Sequence, residues 1–103
     1  MRKVIYISEV VMPYETKAGP GEVFVSADAH YDETKGELVV ALSSLVRCHE
    51  TGEKRWEDWL PRSETLREAM DFEEGMPATK EIFESWVKRI RSACDATRLH
   101  PSA

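Results

Sequence analysis

The stretch EVFVSADAHYDETKGELVVALSSLVRC, residues 22–48, contains two runs of alternating side chains separated by a short polar segment. Successive side chains of a β-strand point to opposite faces, so every second residue shares a face. We predict strands over 22–31 and 37–48, joined by a turn at 32–36. Gly36 suits the positive φ that closes a short hairpin loop. The stretch therefore predicts an antiparallel hairpin.

The register of this hairpin follows from its apolar rows. A shift by one residue would turn every core side chain toward solvent, so the two apolar rows must share one face. The predicted cross-strand pairs are Tyr31 with Leu38, Ala29 with Val40, and Ala27 with Leu42. The small side chains of Ala27 and Ala29 would let a helix approach closely. We therefore expect this face to be the core face.

The opposite face of the hairpin mixes polar and apolar side chains. We treat six of its residues as a candidate binding face: Phe24, Ser26, Asp28, His30, Ser43 and Leu45. Val39 and Ala41 fall on the same face. Such a surface is too apolar for an ordinary solvated face and too polar for a dry core. We expect it to meet a protein partner, and a second copy of the chain is one option.

Residues 3–12 predict a further strand, because they are rich in β-branched and aromatic side chains. Apolar side chains fall on both faces of this strand, which is typical of an interior position in a sheet. The strand is expected to end at Pro13. Residues 13–21 contain two prolines and two glycines, and this composition predicts an exposed loop.

Two helices are predicted in the C-terminal part of the chain. Ser63 is a suitable N-cap for a short helix over 63–73, and its inner stripe would be Leu66, Ala69 and Met70. The apolar side chains of residues 78–97 recur at the helical period. They are Ile82, Phe83, Trp86, Val87, Ile90, Ala93 and Cys94. We expect residues 98–103 to form a flexible tail.

Residues 54–59 fit either a fourth strand or a helical turn, because Trp56 and Trp59 are three residues apart. On a strand, this odd spacing would place the two indoles on opposite faces, so that one of them would lie at the second sheet face or in solvent. Tryptophan supplies a large contact area at interfaces. Trp56 and Trp59 are therefore candidate interface residues.

Together these elements predict an α+β domain over residues 1–97. It consists of an antiparallel β-meander of three to four strands, followed by two helices packed on one face. A length of 103 residues fits one domain. No apolar run is long enough to span a membrane, and we expect a soluble, cytoplasmic protein. The net charge of −5 disfavours nucleic acid as the main partner.

Asp28 and His30 are the strongest candidates for chemistry, because residues two apart on a strand share a face. The predicted register places Ser26 opposite Ser43, and a set of Ser, His and Asp suggests a hydrolase. However, the sequence contains no Gly-x-Ser-x-Gly elbow, and a flat strand face does not supply oxyanion donors. A small enzyme or ligand-binding domain using Asp28, His30 and Tyr31 is therefore the alternative hypothesis.

The two cysteines, Cys48 and Cys94, are too few for a disulfide framework. We expect both to be reduced packing residues, with a single bridge between them as the alternative. Cys48, His49 and Glu50 are metal-ligand types, but neighbours on a strand point to opposite faces and no zinc motif accompanies them. The sequence thus predicts neither a metal nor a cofactor.

Acidic residues concentrate in the segment 53–75, which contains eight carboxylates and four basic side chains. Within this segment, one acidic run either mimics a polyanion, attracts a basic protein, or forms a solvated helix surface. Its members are Glu64, Glu68, Asp71, Glu73 and Glu74. With no motif for catalysis, the sequence favours a non-catalytic interaction or regulatory module, such as a small inhibitor or accessory factor.

Overall fold

The structure is a computed structural model that describes the backbone of residues 2–57 and 59–99. Within these residues the chain forms five strands followed by one helix. The elements are β1 (Arg2–Thr16), β2 (Gly19–Asp32), β3 (Glu37–Cys48), β4 (Lys54–Arg55), β5 (Glu64–Ala69) and α1 (Phe72–Leu99). β1, β2 and β3 form an antiparallel meander. β4 and β5 pair with different parts of β3, β4 near its end and β5 along its first half. The prediction of an antiparallel meander in an α+β chain is confirmed in this broad form.

The central hairpin has the predicted register. Its Cα partners include Tyr31 with Leu38, Ala29 with Val40, and Ala27 with Leu42. Gly36 has a φ of 60°, as the turn requires. The carboxylate of Asp32 accepts hydrogen bonds from the backbone N–H groups of Thr34 and Lys35, at 3.0 and 3.2 Å. Local turn chemistry and the matching of apolar rows therefore agree.

The core lies between one face of the sheet and α1. Val23, Val25, Ala27 and Ala29 of β2 are buried there, as predicted. The helix contributes buried Phe83, Trp86, Ile90 and Cys94. Trp86 is the largest side chain that is almost completely buried, and its Nε1 donates a hydrogen bond to the carbonyl oxygen of Ser43 at 3.0 Å. The predicted apolar face of the long helix is confirmed.

The predicted exposed loop at 13–21 is wrong. β1 continues through Pro13 to Thr16, and β2 begins at Gly19. Proline is tolerated here because β1 is an edge strand, where a missing N–H need not interrupt the sheet. The hydroxyl of Thr16 closes the tight turn by donating to the carbonyl oxygen of Gly19 at 2.6 Å. Gly21 is buried, because the hairpin backbone passes close to Arg47 at this point.

The edge position of β1 also corrects the expectation that residues 3–12 form an interior strand. A β-bulge shifts the register between Val4 and Tyr6. As a result, Ile5 and Tyr6 both pack against the core, whereas Val4 and Ile7 are exposed. Apolar side chains thus lie on both faces of β1, but the strand is at the edge of the sheet and not in its interior.

The predicted helix over 63–73 is also wrong, so the described residues contain one helix instead of two. Glu64–Ala69 forms β5 and pairs with Glu37–Leu42 of β3. The edge of β3 offers backbone donors and acceptors that need partners, and pairing with them overrides a weak local helix preference. Leu66 is only half-buried and Ala69 is exposed, so the predicted inner stripe does not form.

The long helix begins at Phe72, earlier than the predicted start at residue 78, and includes Gly75 and Pro77. Gly75 is buried, and a Cβ there would lie 2.7 Å from the side-chain end of Ile5. The hydroxyl of Thr79 donates to the carbonyl oxygen of Gly75 at 2.7 Å. Close packing of this turn on the sheet offsets the low helix propensity of Gly and Pro. Arg98 and Leu99 are the last residues of α1, and residues 100–103 of the predicted tail lie outside the described residues.

The predicted element at 54–59 is reduced to the two residues of β4, and Asp58 lies outside the described residues. The chain then enters the core at Leu60, which is buried. Ser44, buried on the core face of β3, donates a hydrogen bond to the carbonyl oxygen of Pro61 at 2.6 Å. This bond anchors the connection between β4 and β5.

Candidate binding surface

The face of the sheet opposite α1 is the surface that the structure leaves open, and we call it the second sheet face. Cross-strand pairing places side chains of β1, β2, β3 and β5 on it in rows. From one end to the other, these rows are Glu22–Arg47, Val11–Phe24–Leu45, Glu9–Ser26–Ser43, Ile7–Asp28–Ala41–Thr65 and Val4–His30–Val39–Arg67. All six residues of the candidate binding face therefore lie together on one surface.

The edge strand β1 contributes the most exposed apolar side chains of this face. Ile7 is 68% exposed, Val4 61% and Val11 47%. Ile7 and Val11 share the face by ordinary alternation, and Val4 joins them only because the bulge shifts the alternation between Val4 and Tyr6. Sequence reasoning missed them, since strict alternation along 3–12 places Val4 and Ile7 on opposite faces.

The end of the face near Phe24 is basic. The guanidinium of Arg47 lies 5.2 Å from the centre of the Phe24 ring, and the ammonium of Lys54 lies 5.0 Å from it. Arg47 also forms an ion pair with Glu22, its cross-strand partner. These cations cover part of the aromatic ring and contribute their own charge to the surface.

The middle of the face carries the polar residues for which a catalytic role was considered. Ser26 and Ser43 are hydrogen-bonded through their hydroxyls at 2.6 Å. The Nδ1 atom of His30 lies 3.3 Å from a carboxylate oxygen of Asp28, and both side chains are partly exposed. The predicted proximity of Asp28 to His30, and of Ser26 to Ser43, is therefore present.

The order of these residues along β2 does not suit nucleophilic catalysis. Asp28 stands between Ser26 and His30, so the serine and the imidazole are four residues apart, or about 13 Å along the strand. A general base must lie within hydrogen-bonding distance of the hydroxyl that it activates. Tyr31 is on the core face, where its hydroxyl donates to the carbonyl oxygen of Met70 at 2.7 Å. The trio Asp28, His30 and Tyr31 is thus divided between the two faces of the sheet.

Trp56 and Trp59 are exposed, at 48% and 40%. The indole N–H of Trp59 donates to the hydroxyl of Tyr14, a core residue of β1. The ammonium of Lys17 lies 5.2 Å from the centre of the Trp59 ring. Trp59 is therefore held on the core side of the hairpin, and the structure does not unite it with the second sheet face.

Both cysteines are free and buried, as predicted. Hydrogen bonds, first from the backbone of Thr51 and then from the side chain of Thr16, lower the pKa of the Cys48 thiol. Within the part of the chain that the structure describes, no three His, Cys, Asp or Glu side chains gather as a metal site would require.

A groove of about 370 Å³ runs between β5 and α1, on the core side of the sheet. Its lining includes Glu64, Leu66 and Glu68 of β5, together with Ala78, Glu81, Ile82, Ser85 and Arg89 of α1. Arg89 forms an ion pair with Glu64 at 3.0 Å. Sequence analysis missed this groove, because a strand had to replace the helix expected at 63–73. The acidic run from Glu64 to Glu74 thus extends from β5 to the first turn of α1, instead of lying on one helix surface.

Comparison with known proteins adds no relative: no protein-family model, no curated protein and no solved structure matches the chain. The described residues form no helix that is long and apolar enough to cross a membrane.

Proposed function

We propose that this chain is a non-catalytic protein-interaction module and that the second sheet face is its binding surface. One observation carries the proposal: a strand with apolar side chains on both faces lies at the edge of the sheet, with one of those faces open to solvent. Val4, Ile7 and Val11 of this strand are exposed on that face, with the exposed side chain of Glu9 between Ile7 and Val11. Exposed apolar side chains grouped on one face among polar residues mark interaction sites in soluble proteins.

The composition of the face supports an interface over a catalytic surface. An aromatic ring and aliphatic side chains alternate with small hydroxyl residues, and Arg47 and Lys54 flank Phe24. Interfaces are enriched in aromatic residues and arginine, and they bury apolar area within a polar rim. Burying one exposed isoleucine contributes about 1.5–3 kcal/mol. A partner that covers Ile7 and its apolar neighbours would therefore gain considerable binding energy.

A regulatory role, as a small inhibitor or accessory factor, is consistent with this surface. The candidate serine, histidine and aspartate occur in an order that does not allow the histidine to activate the serine, as shown above. The contribution of the chain would then be to occupy a surface of its partner instead of transforming a substrate.

Binding of proteins from an extract of the source cells tests the proposal. The immobilised wild type is compared with Ile7→Lys, which places a positive charge among the exposed apolar side chains of β1. The matched control is Met76→Lys, because Met76 is 45% exposed but belongs to α1. We expect Ile7→Lys to reduce binding, of other proteins or of copies of the chain, by at least about tenfold, the loss of one buried isoleucine.

Unchanged binding to Ile7→Lys, or an equal loss with Met76→Lys, would contradict the proposal. Circular dichroism of each variant excludes misfolding as the cause, since exposed substitutions usually change stability by no more than about 0.5 kcal/mol.

A further inference from the structure

The second sheet face is self-complementary in a specific way. The rows shared by β2 and β3 pair Glu22 with Arg47, Phe24 with Leu45, and Ser26 with Ser43. Each of these three rows combines groups that suit each other: opposite charges, two apolar side chains, or two hydroxyls. The remaining two rows of this face, Asp28–Ala41 and His30–Val39, each set a polar side chain beside an apolar one. A surface that binds its own copy around a two-fold axis needs this property, because the same patch must serve as both partners.

We propose that the partner of this face is a second copy of the chain, packed face to face about a two-fold axis that runs parallel to the strands between β2 and β3. This proposal rests on the proposed function and names its partner. The axis places β2 of one copy over β3 of the other, row by row. Glu22 then faces Arg47 of the second copy, Phe24 faces its Leu45, and Ser26 faces its Ser43.

Charge distinguishes this axis from the other symmetric choice. An axis perpendicular to the strands, through the Ser26–Ser43 row, would exchange the two ends of the face. Lys54 pairs with Arg47 at one end, and Arg67 pairs with Val39 at the other. That exchange would place Lys54 over Arg67 of the second copy, and like charges in contact oppose association. The parallel axis avoids this contact and pairs each Arg47 with a carboxylate.

The available area is sufficient for a dimer. Four strands about 4.8 Å apart and ten residues of about 3.4 Å each give the face roughly 650 Å² in projection. Two copies would then bury about 1,300 Å², within the range of about 1,200–2,000 Å² of stable interfaces. The chain measures 17 Å in its thinnest direction, as expected for one sheet layer and one helix layer. Pairing would complete the sandwich of two sheets, about 10 Å apart, that an uncovered apolar sheet face favours.

Sedimentation of the wild type over a dilution series is the first part of the test, with Phe24→Glu as the disrupting variant and Met76→Glu as the control. We expect wild type and control to reach twice the 11.8 kDa mass of the chain. Phe24→Glu should remain at the single-chain mass at the same concentrations. A wild type of single-chain mass throughout, or a Phe24→Glu variant that dimerises normally, overturns the proposal.

The second part tests the axis with charge reversals. In Glu22→Arg, each copy presents two cations to the other, and in Arg47→Glu each presents two carboxylates. Each variant alone should dimerise about tenfold more weakly, because symmetry doubles the effect of one exposed charge pair. Mixed together, they should associate with each other at nearly wild-type strength, because every cation then faces a carboxylate across the interface.

An ion pair that acts only within one chain would not be restored by mixing. If the mixed variants associate as weakly as each variant does alone, this arrangement is overturned. The result also separates this inference from the proposed function. Suppose the wild type stays at single-chain mass, but Ile7→Lys still binds less protein from the extract than the wild type does. This result rejects the second copy as the partner and still supports the second sheet face as an interaction surface.

Discussion

The substitution Gly21→Ala gives opposite results according to whether residues 13–21 form a loop or a pair of strands. In an exposed loop, this change would stabilise the fold by about 0.4–1 kcal/mol, because alanine restricts the unfolded chain. In the structure, Gly21 is buried in β2 opposite Cys48. A Cβ at this position would overlap the carbonyl oxygen of Arg47 and lie 2.9 Å from Cγ2 of Thr16.

The magnitude follows from what must move. The overlapping atom belongs to the backbone of β3. Rotation of a side chain therefore cannot remove the overlap, and the two strands have to move apart. Inserting a methyl group into such a packed site costs about 1–3 kcal/mol. After the gain from restricting the unfolded chain, we expect a net loss of about 1–2 kcal/mol. For a domain of this size, that loss lowers the melting temperature by roughly 4–16 °C.

Thermal unfolding followed by circular dichroism measures the effect, at one fixed protein concentration so that association does not change the result. Gly75→Ala is the matched control. The nearest atom to its added Cβ is the end of the flexible Ile5 side chain, at 2.7 Å. Alanine also has a helix propensity about 1 kcal/mol better than glycine. We expect the free energy of unfolding of the control to stay within about 1 kcal/mol of the wild type. A Gly21→Ala variant as stable as the wild type would contradict the close approach of β2 to β3 at Gly21.

Three further predictions concern the core, the pH response and the strand that sequence analysis missed. Trp86→Ala should lower the free energy of unfolding, measured in urea, by about 3–5 kcal/mol. Trp86 is only 1% exposed, and its indole N–H donates a hydrogen bond to the carbonyl oxygen of Ser43. A loss below about 1 kcal/mol would contradict its central position in the core. Burial, followed by the charge of Asp71, raises the pKa of the Tyr31 phenol above its ordinary value of about 10. The neutral phenol therefore favours the folded chain. This contribution is complete below about pH 10 and is lost as the pH rises through the folded pKa. Tyr31→Phe should weaken the fall of stability above pH 10 in urea titrations. Equal pH profiles for wild type and Tyr31→Phe would contradict the assignment. Hydrogen exchange tests the pairing of Glu64–Ala69 with β3. Because only one edge of this strand faces β3, slowly exchanging amides that bond β3 should alternate with rapidly exchanging, exposed amides. Uniform protection along the segment would instead indicate a helix at 63–73.

The central hairpin and the packed face of α1 could be predicted from sequence, because both depend on short-range periodicity. Alternation places every second residue of 22–31 and 37–48 on one face, and only one register brings both apolar rows together. The same reasoning identified the six residues of the candidate binding face, since sharing a strand face is a local property. It also placed Trp86 within the apolar stripe of the long helix.

Which strand edges are paired, and which sheet face the helix covers, depends on contacts between residues far apart in the chain. A local stretch of sequence contains little information about such contacts. Glu64–Ala69 has no strong strand pattern, and it becomes β5 because β3 has an edge to pair with. Pro13 lies within a strand because that strand is at the edge of the sheet. The bulge near Ile5 turns Val4 and Ile7 to the same side. Alternation along the strands makes one sheet face half apolar, and this can be predicted from sequence. That this face stays exposed follows from the packing of α1 on the opposite face, which depends on long-range contacts.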